Sequence, residues 1–256
     1  MISKNAVTLR GLHVPGEPLV LPNAWDAASA RLVEAAGFPV VATSSYAMAE
    51  VLGYDDGEGA PVEEVLAAAA RIVRAVRVPV TVDFERGYGL APAELVERFA
   101  ATGAVGLNLE DSNPSSREMI DAAKHAELLA AVRAAATSAG VDLVINARTD
   151  SFVRRAGSPQ EQLAASIDRG ARYLAAGADC VYPIAAAFDP ETIQALVEGI
   201  PGPVNIGYGQ GTLSLAELAT LRVARVSFGP ALQGHLYDKF RPLLSAVASD
   251  ENPLRR

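Results

Sequence analysis

Val80-Thr81-Val82-Asp83-Phe84-Glu85-Arg86-Gly87-Tyr88-Gly89 is an apolar run that ends abruptly in two carboxylates one residue apart, then a glycine-spaced turn. A short run that is apolar throughout reads as a strand buried on both faces, as in a parallel sheet. Acids that close at the end of a buried strand repel each other and are costly to desolvate, and a nearby cation is the usual remedy. The stretch therefore predicts a divalent-metal site at the mouth of a β/α barrel.

The same alternation extends in both directions. Strands are expected at 19–22, 39–43, 79–83, 105–109, 142–146, 179–182, 203–206 and 223–227. Helices of alanine- and leucine-rich periodic sequence are expected at 27–36, 62–76, 92–102, 119–139, 159–176, 190–198, 215–221 and 231–248. Helices between consecutive strands supply the crossovers that parallel strands need. Eight such units in roughly 230 residues predict an α/β fold of the (β/α)8 TIM-barrel type. An open doubly wound sheet is the alternative, weakened because no glycine-rich phosphate turn follows the first strand. No shift in composition marks a second domain, so residues 1–256 are expected to form one barrel with a polar tail at 249–256. The segment 53–59 (Gly53-Tyr54-Asp55-Asp56-Gly57-Glu58-Gly59) is too rich in glycine and acid for regular structure and suits a mobile loop.

Composition excludes several classes of partner. Half of the 256 residues are hydrophobic and 20% are charged, enough for a sizeable core, and the net charge of −8 disfavours nucleic acid and anionic membranes. The lone cysteine, Cys180, lies in an apolar run and is expected in the core of a protein of a reducing cytoplasm. No apolar stretch spans a membrane, and the N-terminus lacks a signal-peptide core.

Polar residues gather at the carboxyl ends of the predicted strands, the face that holds active sites in barrel enzymes. Trp25 follows strand one, Ser44 and Ser45 strand two, Asp83 and Glu85 strand three, and Glu110 and Asp111 strand four. Arg148 and Asp150 follow strand five, and Asn205 lies within strand seven. If the third strand continues, Asp83 and Glu85 point the same way with Phe84 turned away. Asp83, Glu85 and Glu110 are the candidate metal set. Mg²⁺, or Mn²⁺ in its place, takes only one or two carboxylates directly and leaves others to hold its waters. Arg148 offers planar, bidentate recognition of a carboxylate or phosphate, or a structural pair with Glu110 or Asp150. Ser44 and Ser45 offer a hydroxyl and backbone amides to a substrate carboxylate, or a capped turn. His13 and His125 read as surface residues, and His235 as a minor candidate near the mouth.

Pro22-Asn23-Ala24-Trp25-Asp26, Ser44-Ser45, Leu52-Gly53-Tyr54-Asp55-Asp56, Asp83-Phe84-Glu85-Arg86-Gly87-Tyr88-Gly89, Asn108-Leu109-Glu110-Asp111 and Asn146-Ala147-Arg148-Thr149-Asp150 together resemble the isocitrate lyase/phosphoenolpyruvate mutase superfamily. The resemblance runs from about residue 20 to the last helix. It implies a Mg²⁺-dependent barrel that cleaves or forms a C–C or P–C bond beside an oxo- or enol-acid, with an enolate held on the metal. By position it implies metal-shell roles for Asp56, Asp83, Glu85 and Glu110; the family usually has aspartate where Glu85 stands. Ser44, Ser45 and Arg148 would hold substrate, and the loops after strands two and four would gate it. Trp25, Asp83 and Asn205 complete the candidate substrate set, and Arg148, Asp56 and Glu110 form the candidate catalytic set. The last helix, 231–248, would be swapped between barrels in a homodimer or homotetramer.

Two departures bear on the reaction. Isocitrate and methylisocitrate lyases carry a Lys-Lys/Arg-Cys-Gly-His loop after the fourth strand, whereas Ser112-Asn113-Pro114-Ser115-Ser116-Arg117 has neither cysteine nor histidine. After the sixth strand many members have glutamate or histidine; here Pro183-Ile184 follows. The reading is therefore a Mg²⁺-dependent C–C lyase or decarboxylase of a small 2-oxo or 2-hydroxy dicarboxylic acid. The alternatives are a P–C phosphonomutase and a barrel that only binds.

Overall fold

A computed structural model describes residues 2–155, 157–185 and 187–254; Met1 and the last two residues of the polar tail lie outside the described residues. The strands are β1 (Leu19–Leu21), β2 (Asn23–Ala24), β3 (Val41–Thr43), β4 (Val80–Asp83), β5 (Gly106–Glu110), β6 (Val144–Thr149), β7 (Cys180–Pro183), β8 (Asn205–Gly207) and β9 (Arg225–Ser227). The ladders between them are parallel, in the orders β2-β3-β4-β5-β6-β7 and β1-β9-β8. The two sheets meet at two seams. A parallel bridge pairs Val181 with Val204, and the Val181 N–H donates to the Pro203 carbonyl at 3.0 Å. At the other seam only Pro22 separates β1 from β2. Proline has no N–H to give a ladder, so the strand expected at 19–22 changes partners there, from β9 to β3. Together the pairings go round eight strand positions, the (β/α)8 arrangement.

The helices are α1 (Ile2–Gly11), α2 (Ala27–Ala35), α3 (Ser45–Leu52), α4 (Val62–Ala75), α5 (Pro92–Ala101), α6 (Ala122–Ser138), α7 (Pro159–Ala175), α8 (Pro190–Gly199), α9 (Leu215–Thr220) and α10 (Ala231–Ala248). Two of them, α1 and α3, have no counterpart in the sequence expectation. α1 covers the amino-terminal end of the barrel: Ala6 and Leu9 join Leu19, Val40, Val105 and Val144 in one buried cluster. Gly106 admits this helix, because a Cβ there would meet Leu9 Cδ2 at 2.6 Å and Thr81 Oγ1 at 2.8 Å. Arg10 then bonds Asp179 and Asp142, each at 2.7 Å, at the starts of β6 and β7. α3 fills the stretch between Ser45 and the expected loop at 53–59, to which the sequence assigned no element. Ser44 is its N-cap, and Gly53, at φ +87°, ends it in the left-handed conformation. Helix α6 starts three residues later than expected, because Met119 bridges to Ser112 and Asp121 caps the helix.

Strand β4 stops at Asp83, which corrects the expectation that it continues. Glu85 has φ +48° and Gly87 φ +94°, so the chain turns at once. Phe84 packs outward at the start of the turn. It is fully buried outside the barrel wall against Phe99 and Tyr88, with ring centroids 5.5 and 5.0 Å away. A pair edge-to-face with Phe99 adds to the burial of both rings.

His13 and His125 are corrected from surface to core: both are buried, and the His125 ring stacks edge-on against Tyr173 at 4.9 Å. Burial, aided by Arg225, pushes His13 down to about 4; burial, aided by Arg86, pushes His125 down to about 3. Both rings are thus neutral in the folded chain, whereas the unfolded chain takes up protons below about pH 6.5. Their contribution is complete above that pH and is lost as pH falls toward 4 and then 3. Each histidine then adds a slope of up to about 1.4 kcal/mol per pH unit. His125→Phe is expected to remove one of the two slopes when urea unfolding is compared at pH 7 and pH 5; an unchanged slope contradicts this.

Helix α10 leaves Leu236, Phe240, Leu243, Leu244 and Val247 exposed along one stripe. Among the described residues no helix is long and apolar enough to cross a membrane. Cys180 is fully buried, as expected, and burial pushes its thiol up to about 12.

Candidate active site

Strand register builds the site in layers. Side chains alternate across a strand, so Asn108 and Glu110 share one face of β5, and Asn146 and Arg148 share one face of β6. The ladders place Asp83 beside Asn108 and Asn108 beside Asn146, and one layer higher they place Glu110 beside Arg148 and Arg148 beside Tyr182. The lower layer is a hydrogen-bonded floor. Asn108 Oδ1 accepts from Asn146 Nδ2 at 2.8 Å and from the buried Arg225 at 3.4 Å. Two donors on that oxygen turn the Asn108 amide nitrogen toward Asp83 Oδ1, at 3.3 Å. The other Asp83 oxygen accepts from the Ser45 N–H at 3.1 Å, and Asp83 N–H donates to Thr43 Oγ1 at 3.0 Å.

The upper layer is centred on Arg148. Its Nη1 meets Glu110 Oε2 at 2.8 Å, and its Nε and Nη2 clasp Asp150 at 2.7 and 3.2 Å. Asp150 is fully buried and also accepts from Ser112 Oγ at 2.6 Å. Its backbone N–H donates to Asp111 Oδ1 at 2.8 Å, while Asp111 Oδ2 accepts from Tyr173 at 2.6 Å and Arg169 at 2.9 Å. Both structural pairings weighed for Arg148 therefore exist, and they hold the guanidinium fixed in the site.

Glu85 faces a loop. Its Oε2 accepts from the Glu58 N–H at 2.6 Å and its Oε1 from Tyr88 OH at 2.8 Å. Glu58 returns the bond, with its carboxylate accepting from the N–H groups of Tyr88 at 2.6 Å and Arg86 at 3.2 Å. Segment 53–59 and the turn after β4 are thereby clasped. Burial, with Asp56 beside it, pushes Glu85 up to about 7; burial pushes Glu110 up to about 8 against the pull of Arg148. Asp56 is raised as well, by burial and then by Asp83.

Two cavities lie over this face. The inner one, about 190 Å³, is lined by Ser44, Ser45, Asp83, Asn108 and Tyr182 among others. The outer one, about 370 Å³, is lined by Glu85, Glu110, Arg117 and Arg154 among others. Tyr46, Asp56 and Arg148 line both. Of the predicted residues, Ser44, Ser45, Asp56, Asp83, Glu85, Glu110 and Arg148 thus come together. Trp25 and Asn205 line neither cavity. Trp25 is half-buried with its backbone N–H on Ser29 Oγ, and Asn205 is buried and bonded to the Ser227 hydroxyl. Ser44 Oγ caps α3 through the Ala47 N–H at 3.4 Å.

The model for phosphoenolpyruvate phosphomutase matches residues 9–248. The chain belongs to this family, within the isocitrate lyase/phosphoenolpyruvate mutase superfamily of lyases and mutases. A Burkholderia cenocepacia J2315 crystal structure assigned as a phosphonomutase superposes with a TM-score of 0.85 at 42% identity, covering 96% of this chain and 99% of that one. An uncharacterised Mycobacterium tuberculosis protein is 35% identical over 223 residues, 87% of this chain and 82% of that protein. The 2,3-dimethylmalate lyase of Eubacterium barkeri is 29% identical over 208 residues, 77% of this chain and 68% of the enzyme. The phosphoenolpyruvate mutase family thus includes both reaction types among this chain's relatives.

The donor set of this family member fits a hard divalent cation. Asp56, Asp83, Glu85 and Glu110 offer only oxygens, and mutual repulsion and burial raise three of them. Among the described residues no three His, Cys, Asp or Glu side chains form a protein-only cage.

Sequence reading left several residues out of the site. Thr43 and Asn108 position Asp83, Tyr182 walls the inner cavity, Arg154 lines the outer one, and Arg225 is a buried cation below. Tyr182 was legible, since it alternates with Cys180 on β7, but nothing local marked Arg225 as inward-facing.

Proposed function

We propose that this chain is a divalent-cation-dependent lyase or decarboxylase acting on a small 2-oxo or 2-hydroxy dicarboxylic acid. The observation that carries the reading is Arg148, locked between Glu110 and Asp150 and facing the same two cavities as Asp56, with Asp83 and the Ser45 amide in the inner one. Asp83, with Asp56, Glu85 and Glu110 around it, would hold Mg²⁺ or its waters. Bound Mg²⁺, or Mn²⁺, supplies Lewis-acid polarisation of the 2-oxo or 2-hydroxy group and offsets developing negative charge. Arg148 orients a carboxylate and stabilises the charge that develops on bond cleavage, at no reorganisation cost because its geometry is already fixed. Tyr182 walls the inner cavity, and burial pushes its hydroxyl up to about 12, so it stays protonated.

Loop 112–117 offers no cysteine or histidine as proton donor. Decarboxylation of a β-keto acid needs a charge sink more than a base and is compatible with that loop. A P–C phosphonomutase is the second reading, favoured by the identity to the Burkholderia protein. We place the whole reaction in one barrel unit of a cytoplasmic protein. The exposed stripe on α10 suits packing against a second copy, in a dimer or tetramer.

Release of pyruvate or another 2-oxo acid from a panel of oxaloacetate, 2,3-dimethylmalate and 2-methylisocitrate tests the reading. At least one substrate is expected to turn over with Mg²⁺ and to stop in EDTA. Silence across the panel, with conversion of phosphonopyruvate seen by ³¹P NMR, establishes the mutase reading instead.

A further inference from the structure

The outer cavity has a charge arrangement that the chemistry at Asp83 and Arg148 does not use. Arg154 lines it from the turn after β6, and Arg117 lines it from the loop after β5. The carboxylate nearest Arg154 is already committed. Asp150 gives one oxygen to Arg148 at 2.7 Å and the other to Ser112 at 2.6 Å, leaving Arg154 Nη2 a contact of 3.3 Å. The other bonds of Arg154 go to a neutral hydroxyl, Ser112 Oγ, at 3.1 and 3.3 Å. Its Nη1 has no hydrogen-bond partner among the described residues. Arg117, held at φ +59° in its loop, makes no ion pair among the described residues. Asp55, Asp56, Glu85 and Glu110 line the same cavity, but Glu110 is taken by Arg148 and Glu85 by the Glu58 N–H and Tyr88, and none of the four forms an ion pair with Arg154 or Arg117 among the described residues, so the one carboxylate Arg154 has is the Asp150 it shares with Arg148.

The acids proposed to hold the cation run from Glu85 and Glu110 in the outer cavity to Asp83 in the inner one. Asp83 and Asp56 line the inner cavity with the Ser45 amide, and Arg148 stands where the two cavities join. A substrate whose 2-oxo or 2-hydroxy carboxylate lies at the inner end therefore points its far end toward Arg154 and Arg117. We propose that Arg154, assisted by Arg117, forms a subsite for the distal carboxylate of a dicarboxylic substrate. The inference rests on the proposed lyase reading and adds the residues that select a second carboxylate over an alkyl end. Arg154 is the stronger contributor because Ser112 and Asp150 already fix its guanidinium, which lowers the ordering cost of binding. Arg117 is exposed and contributes less.

Calorimetric titration in the presence of Mg²⁺ tests it with three ligands. Oxalate reports the inner end alone. Malate and 2-hydroxybutyrate share the 2-hydroxy acid head and differ in whether the far end is a carboxylate or a methyl group. The native chain is expected to prefer malate by about tenfold or more, the size of a charge-assisted pair. Arg154→Gln is expected to abolish that preference while oxalate binding stays within about threefold. A malate preference retained in Arg154→Gln with oxalate binding intact overturns the subsite and leaves the proposed function standing. Failure of the native chain to bind oxalate overturns the proposed function, and the subsite with it. If Arg154→Gln loses oxalate as well, the Asp150 network has collapsed and Arg117→Gln decides: a malate preference reduced severalfold supports the subsite, and an unchanged one overturns it.

Discussion

Asp83→Ala is expected to lower kcat/KM by about 10³-fold or more, whichever reaction the site performs, because one carboxylate is removed from the point where substrate charge and cation meet. The change should leave the fold intact. Asp83 is half-buried at the last position of β4, and the bonds to it are long: 3.1 Å from the Ser45 N–H and 3.3 Å from Asn108. Asp83→Asn keeps the shape and removes the charge, so it separates the two roles. If the carboxylate holds the cation, Asp83→Asn should resemble Asp83→Ala in activity and should need far more Mg²⁺ for whatever activity remains. If Asp83 only orders the α3 amino terminus and the Asn108 amide, Asp83→Asn should keep most of the activity. Steady-state kinetics over a Mg²⁺ series decide between the two.

Arg148→Met is expected to fail in a different way, with loss of both stability and activity. The guanidinium is largely buried and is the partner of both Glu110 and Asp150. Removing one member of a buried ionic group typically costs about 3–5 kcal/mol, because the remaining charges are left uncompensated. Two acids are left here, so the upper end of that range is expected in urea unfolding at neutral pH. Part of the loss should return as pH falls and Glu110, already raised by burial, takes up a proton. Arg148→Lys keeps the charge but loses the planar fork. It should recover most of the stability while remaining about 10²-fold or more down in kcat/KM, since a single ammonium cannot serve Glu110, Asp150 and a substrate carboxylate in the same geometry. Equal recovery of stability and activity in Arg148→Lys contradicts a substrate-binding role.

The barrel was legible because its signal is repeated and local. Apolar runs buried on both faces alternate with amphipathic helices, and each pair restates the same periodicity. Less was legible where the chain departs from that period. Pro22 splits the first strand between two ladders, a consequence of a missing N–H that only pairing makes visible. Helix α1 carries an ordinary sequence, and its place under the barrel depends on Gly106 some hundred residues away.

The site was legible at strand ends and less so between them. Asp83, Glu110 and Arg148 follow from position alone, since the end of a parallel strand points to one face of the barrel. Glu85 follows only in part: Phe84 packs outward as the strand reading expects, but that reading assumed an extended backbone and the chain turns at Glu85 instead. Trp25, in the bend after β2, and Asn205, at the start of β8, line neither cavity. His125 was read as surface because the helix that carries it is alanine-rich on every side and gives little amphipathic contrast. Arg154 was missed because it lies in a turn, where no periodicity assigns a direction.

The central claim is a cation-dependent site for a 2-oxo acid, with Asp83 and Arg148 in it. Calorimetric titration of oxalate into the native chain, once with Mg²⁺ and once with EDTA, tests it most directly. Saturable one-to-one binding with Mg²⁺, lost in EDTA and lost in Asp83→Ala, is the predicted result. Oxalate binding of equal strength in EDTA, or binding with Mg²⁺ that Asp83→Ala leaves unchanged, contradicts the claim.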